Sequence, residues 1–173
     1  MVWISVVMLV GDHWVSGLVV ADGRRFQDIL NDRTSDYLGL SDARIYLAAD
    51  MADPAAVLSK AQVTKANIVL AMLHDDNHEA PRKRATSFIR KDRHEAYLTV
   101  PGLEVKGYMH LLQRTDPNTF LARLAKDGHS FFPVTQSTVS AVGPLAEASQ
   151  APVTFVNRVH VDLLFVSDTP SLV

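Results

Sequence analysis

The chain has 173 residues, a formal net charge of −2 and an apolar share of 47%. That balance is ordinary for a globular protein and gives no global pull toward nucleic acid or a membrane surface. With no cysteine, disulfide frameworks and thiolate chemistry are excluded.

Residues 2–10 are apolar apart from Ser5. They have no basic flank before them and no small-residue cleavage site after them, and they are too short to cross a bilayer. They predict a buried first strand, with the cytoplasm as default location and no membrane partner. Gly11-Asp12-His13 is a turn, and residues 14–20 are the hairpin partner. Gly17 inside that strand predicts a bend or a close backbone approach. After the turn Ala21-Asp22-Gly23, residues 24–31 read as a short helix with Phe26, Ile29 and Leu30 on one face. Residues 37–47 are extended. Pro54 after Asp53 suits the first position of a helical turn within 50–60. Residues 62–73 read as a strand, or as two short strands around Asn67.

Polar residues and mixed charge mark a boundary at His74-Asp75-Asp76-Asn77-His78-Glu79 and the basic stretch beyond it. The expected division is a first unit at 1–79, a basic linker at 80–94 and a second unit at 95–173. The second unit repeats the first: strands at 97–100 and 105–112, a helix at 120–126 capped by Asp116, a third strand at 131–142, a small-residue loop at 143–152, and a closing segment at 153–166. The tail from 168 onward is expected to fray.

The repetition extends to individual positions. Gly17 matches Gly107 at an offset of 90, and Phe26 and Leu30 match Phe120 and Leu124 at an offset of 94. The larger offset holds for Tyr37/Phe131, Leu40/Val134 and Ile45/Val139, and it returns to 90 at Val63/Val153 and Asn67/Asn157. Changes confined to the joints are what differing loop lengths produce between two copies of one fold. Short, dominant strands without a βαβ rhythm give the fold class as mainly β, with two tandem small barrel units of SH3-like type, each carrying an inserted helix.

Leu40-Ser41-Asp42-Ala43 and the strand opening Lys65-Ala66-Asn67-Ile68 resemble the Leu-x-x-Ala and Gly-x-Asn-Ile segments of the Sm-like family. The resemblance implies two Sm-like barrels in tandem. Where that family carries an Asp-x-x-x-Asn uridine-binding signature, this chain has the helix at 24–31, and Lys65 or Phe155 stands in place of the closing-motif glycine. The Arg25-Phe26-Gln27-Asp28-Ile29-Leu30-Asn31 stretch is also similar to small uncharacterised bacterial families, which imply no activity.

Few residues point to chemistry. His74, His78 and Glu79 with their neighbouring aspartates are ligand-capable, but they read as a solvated acidic linker, and no metal or other cofactor is expected. Arg82, Lys83, Arg84, Arg90, Lys91 and Arg93 form a basic cluster around Phe88 that suits phosphate contact and base stacking. No nucleophile–base frame or phosphate-cradling glycine loop is present, His160 lies in an apolar strand, and Asp28 and Asp32 face water, so no catalytic residue is assigned. Asn67 and Asn157 are expected to bond a turn backbone. Asp28 and Asn31 are not repeated, since Ala122 and Ala125 stand in their places.

The expected function is a non-enzymatic protein-interaction or self-assembly module. It would form a homo-oligomer, or bind a protein partner, by strand-edge pairing through the closing strands, with Ile68, Leu70, Val159 and Val161 in the contact. The alternative is RNA or other nucleic-acid binding through the basic linker and barrel loops.

Overall fold

The computed structural model of the chain describes residues 2–47, 52–74, 91–113, 115–142 and 148–171. Among these residues ten strands form one antiparallel sheet. The first half supplies β1 (Trp3–Val10), β2 (His13–Val20), β3 (Tyr37–Leu47), β4 (Ala56–Thr64) and β5 (Ile68–Leu73), with helix α1 (Phe26–Asn31) between β2 and β3. The second half supplies β6 (Lys91–Val100), β7 (Leu103–Leu112), β8 (Phe131–Ala141), β9 (Ala148–Asn157) and β10 (Leu163–Val166), with α2 (Phe120–Lys126) between β7 and β8. A 3-10 turn precedes each closing strand, Lys65–Asn67 before β5 and Arg158–His160 before β10.

Neighbours in the sheet run β10-β6-β7-β8-β9-β5-β1-β2-β3-β4. Each half contributes a block in which its last strand lies beside its first, and the blocks meet where β9 pairs with β5. The fold is mainly β, as expected. It is one open sheet, however, and not two closed barrels. The physical reason is the β5·β9 pairing, which uses the strand edges that closure of either half would need.

Both halves share an irregularity that explains their paired glycines. The β2–β3 register shifts between Ser16 and Leu18, and the β7–β8 register shifts between Lys106 and Tyr108. The extra residue of each bulge, Asp42 at φ 50 and Gln136 at φ 48, is left-handed. The bulged strand therefore leans onto its partner. A Cβ at Gly17 would lie 3.2 Å from the Ser41 carbonyl, and one at Gly107 2.7 Å from the Thr135 carbonyl. The close approach expected at Gly17 is thus present, and it is tighter at Gly107.

Three expectations need correction. Residues 56–60 belong to strand β4 and not to a helical turn, because Ala56 to Thr64 pair along β3 from Ile45 back to Tyr37; 62–64 are strand as expected, with β5 following the break at Asn67. This non-local pairing outweighs the local proline signal. Strand β9 starts at Ala148, inside the expected loop, because Ser140 continues the pairing to it. The closing-block alignment slips by three residues: Leu38 pairs with Val63 and the matching Phe132 pairs with Val156. Val156 is therefore the counterpart of Val63, and Asn157 the counterpart of Thr64 and not of Asn67.

Two apolar cores lie along the sheet and exchange side chains. One gathers Ile4, Val6, Met8, Phe26, Leu30, Leu38 and Ile68 of the first half, with Phe131 and Phe155 of the second. The other gathers Leu98, Val105, Met109, Phe132 and Val156, with Leu9, Val69, Leu70 and Met72 of the first half. All six residues of β5 are buried. An uninterrupted apolar run is the signature of a strand covered on both faces.

Candidate assembly interface

The junction between the halves is built from strand pairing, aromatic packing and side-chain hydrogen bonds from Asn31, Arg33 and Asn157. Leu70, Ala71, Met72 and Leu73 lie opposite Val156, Phe155, Thr154 and Val153. Across it Phe155 meets Phe26 edge-on, with ring centroids 5.5 Å apart at 70°. At the end of α1, the Asn31 side chain accepts from Ser130 N (2.9 Å) and Phe131 N (2.8 Å) and donates to the Phe131 carbonyl (3.0 Å). Asn157 Nδ2 donates to the Ile68 carbonyl at 3.0 Å, and Arg33 Nε to the Gly128 carbonyl at 3.0 Å. The turn-backbone role expected for Asn157 is present too, since its Oδ1 accepts from Val159 N at 3.4 Å.

At its two ends the sheet presents β4 and β10, each paired on one side among the described residues. Apolar side chains stand at both: Tyr37 is 55% exposed and Val57 65% beside the first edge, Leu163 50% and Phe165 57% on the second. Native sheets commonly blunt an unpaired strand with charge or proline. Here β10 carries neither, and β4 carries Lys60 as its one charged residue.

The helices report the same asymmetry. Phe26, Ile29 and Leu30 of α1 are buried, whereas α2 has no buried residue although Phe120, Leu121 and Leu124 line its apolar side. The sequence supplies comparable helices. What differs is cover: side chains of the second half close over α1, whereas Phe120, Leu121 and Leu124 of α2 are only partly buried against the second core, with Phe120 edge-on to Phe132.

Beside β4 lies a groove of about 720 Å³ whose lining includes Arg24, Asp32, Tyr37, Lys60, Gln62 and Lys65. Thr34 donates to Asp32 from both its hydroxyl and its backbone amide, Arg24 pairs with the same carboxylate at 2.6 Å, and together they hold Asp32 down at about 2. Lys65 is buried and donates from Nζ to the Asp32 carbonyl at 2.8 Å, and burial pulls its ammonium below the usual lysine range. Arg24, Thr34 and Lys65 thus all find partners at Asp32. No nucleophile–base pair is assembled there.

The residues singled out from the sequence fall in different places. Ile68 and Leu70 are fully buried in β5, which has β1 on one side and β9 on the other. They cannot receive a strand from another copy, because the pairing expected of them is made within the chain. Val159 is 59% exposed in the 3-10 turn, and Val161 packs against the second core. Lys91 and Arg93 belong to β6 and not to a linker, and the Arg93 guanidinium lies 4.3 Å from the Tyr108 ring centroid. Arg82, Lys83, Arg84 and Arg90 lie outside the described residues, as do His78 and Glu79.

Among the described residues no group of three metal-ligating side chains comes together, and no helix is long and apolar enough to cross a membrane. Sequence reasoning missed Tyr37, Leu163 and Phe165 as edge residues and Asn31 as the junction clasp. The unrepeated Asn31, with Ala125 in its place in the second half, was the one available sign.

No protein family, curated protein or solved structure matches this chain. What it offers a partner is therefore read from its own surfaces.

Proposed function

We propose that this chain is a non-enzymatic assembly module, made of two duplicated Sm-like units, that extends its sheet through the terminal strands β4 and β10. The observation that supports this is the β5·β9 junction, where two five-strand blocks are already joined edge to edge in one continuous sheet. The free ends carry exposed apolar residues of the kind that the internal junction buries. Because β4 and β10 are different edges, their pairing is head-to-tail, giving a ring where the rotation closes and a filament where it does not.

Light scattering coupled to size exclusion tests this, with absorbance followed at both protein and nucleic-acid wavelengths. A homo-oligomer free of nucleic acid supports the reading. A bare monomer at tens of micromolar refutes it.

A second reading, binding of single-stranded nucleic acid, draws on the outer face of β6 and β7. There Arg93 stacks on Tyr108 and the Lys106 ammonium lies 5.6 Å from the Tyr97 ring centroid. It predicts oligonucleotide binding that weakens steeply with salt and on Arg93→Ala. Binding indifferent to both would dismiss it.

A further inference from the structure

Resting on the assembly reading, we infer that the occupant of β10 is the β3–β4 edge of a second copy of this chain, seated in the register that β9 keeps on β5. The chain contains one filled example of this junction and the two halves of an empty one. Leu9 pairs with Trp14 and with Leu70, and at the matching place Thr99 pairs with Glu104 and with Leu163. Leu163, Leu164, Phe165 and Val166 thus stand where Leu70, Ala71, Met72 and Leu73 stand in the first half. The pairings with β3 and β8 likewise place Val63, Gln62, Ala61 and Lys60 as counterparts of Val156, Phe155, Thr154 and Val153. Carrying the internal register across puts Leu163 opposite Val63, Leu164 opposite Gln62, Phe165 opposite Ala61 and Val166 opposite Lys60.

Three features of the two ends fit that docking. Leu163 and Phe165 are half exposed, whereas Leu70 and Met72 at the matching places are buried in the core of the other half. Tyr37 is the counterpart of Phe131, which is 1% exposed inside the first core. In the second copy's place the Tyr37 ring would close over Phe120 and Leu124 of α2, which are only partly buried within one copy. The charges also match: β10 ends at Val166, opposite Lys60 in this register, and Asp168 follows in the bend two residues beyond, within reach of a long side chain. The junction inside the chain has Val153 at the Lys60 place. Charge therefore belongs to the contact between copies alone and selects β4 as the strand that β10 takes.

The chain has no cysteine, so engineered pairs report without background. Leu163→Cys with Val63→Cys, and Leu164→Cys with Gln62→Cys, are successive cross-strand pairs. Antiparallel neighbours alternate between wide and close spacing, so one of the two falls at the close spacing that a disulfide spans. Leu163→Cys with Ala56→Cys is the out-of-register control. Under mild oxidation at least one in-register pair should give covalent dimers and higher species on a non-reducing gel, with the linkage mapped by mass spectrometry, and the control should not. Light scattering on the reduced variants separates the two ways of failing. An oligomer that cross-links only through the control pair, or through none, overturns the register and leaves assembly standing. Variants that stay monomeric alongside a monomeric wild type overturn both. As a readout of partner choice, Lys60→Glu should weaken association and Asp168→Lys in the same chain should restore it; equal weakening in both would remove the charge match.

Discussion

Replacing Asn31 by alanine takes away the clasp that ties α1 to the start of β8. Three hydrogen bonds go, leaving the amides of Ser130 and Phe131 and the Phe131 carbonyl without their partner. Phe131 is 1% exposed, so water cannot readily replace the side chain there. A buried group left unpaired costs about 1–3 kcal/mol. Ser130 is only partly buried and can rehydrate, so the expected total is about 2–4 kcal/mol. For a chain of this length that corresponds to a fall in Tm of roughly 5–15 °C. Asn31→Asp keeps both accepted bonds but sets a carboxylate oxygen against the Phe131 carbonyl, so it should also destabilise. Urea denaturation followed by circular dichroism, at fixed protein concentration because association shifts apparent stability, gives the number. Hydrogen exchange should show faster exchange at Ser130 and Phe131 in the alanine variant. A variant within about 0.5 kcal/mol of wild type, with those amides still protected, would refute the claim that Asn31 carries the junction.

The paired bulges predict unequal tolerance of a single methyl group. Gly107→Ala meets backbone at 2.7 Å and should lose about 1–3 kcal/mol, whereas Gly17→Ala, at 3.2 Å, should lose less; identical thermal melts would contradict the geometry. Asp32 is held at about 2, below its ordinary value of 3.8, so its contribution is present above pH 4 and is lost as pH falls toward 2. Asp32→Asn should therefore flatten the acid limb of a stability–pH curve, and an unchanged limb would show that other carboxylates set it. Phe165→Glu places a charge on a strand edge that the proposed assembly would bury. Losing burial of an aromatic ring now 57% exposed is worth about 1–2 kcal/mol, so sedimentation should show association weakened roughly five- to thirtyfold with the fold intact. Unaltered association would move the interface away from β10.

The elements were legible where local pattern and tertiary role agree. The β1–β2 hairpin comes from apolar runs broken by Gly11, and α1 from apolar residues at helical spacing, whereas of β6 only the stretch from Tyr97 was legible, its polar start Lys91–Glu95 lying in or at the end of the expected linker. Strand β4 was not legible, because Pro54 and Asp53 carry a helix-start signal while the strand owes its form to β3 beside it. The correspondence of the closing segments was misread for a related reason. Val63 and Asn67 match Val153 and Asn157 as letters, but register is set by hydrogen bonding to β3 and β8, which no local comparison sees. The position of β5 could have been read. Its six apolar residues in a row fit a strand covered on both faces, while Leu163 to Val166 is a short strand of mixed burial, as an edge allows. Asn31 was visible only as a break in the repeat, since its partners lie about 100 residues away.

The two cores borrow from each other: Phe131 and Phe155 complete the first, and Leu9, Leu70 and Met72 complete the second. A gene cut between residues 74 and 91 would therefore yield two fragments that each expose the seat of the other's aromatic or aliphatic side chains. Such fragments should be poorly soluble apart and should recover a native far-ultraviolet spectrum when expressed together. The chain then behaves as a complementing pair held on one thread, each half depending on the other. A change in one half is felt as instability in the other, and neither half is free to be lost or exchanged alone.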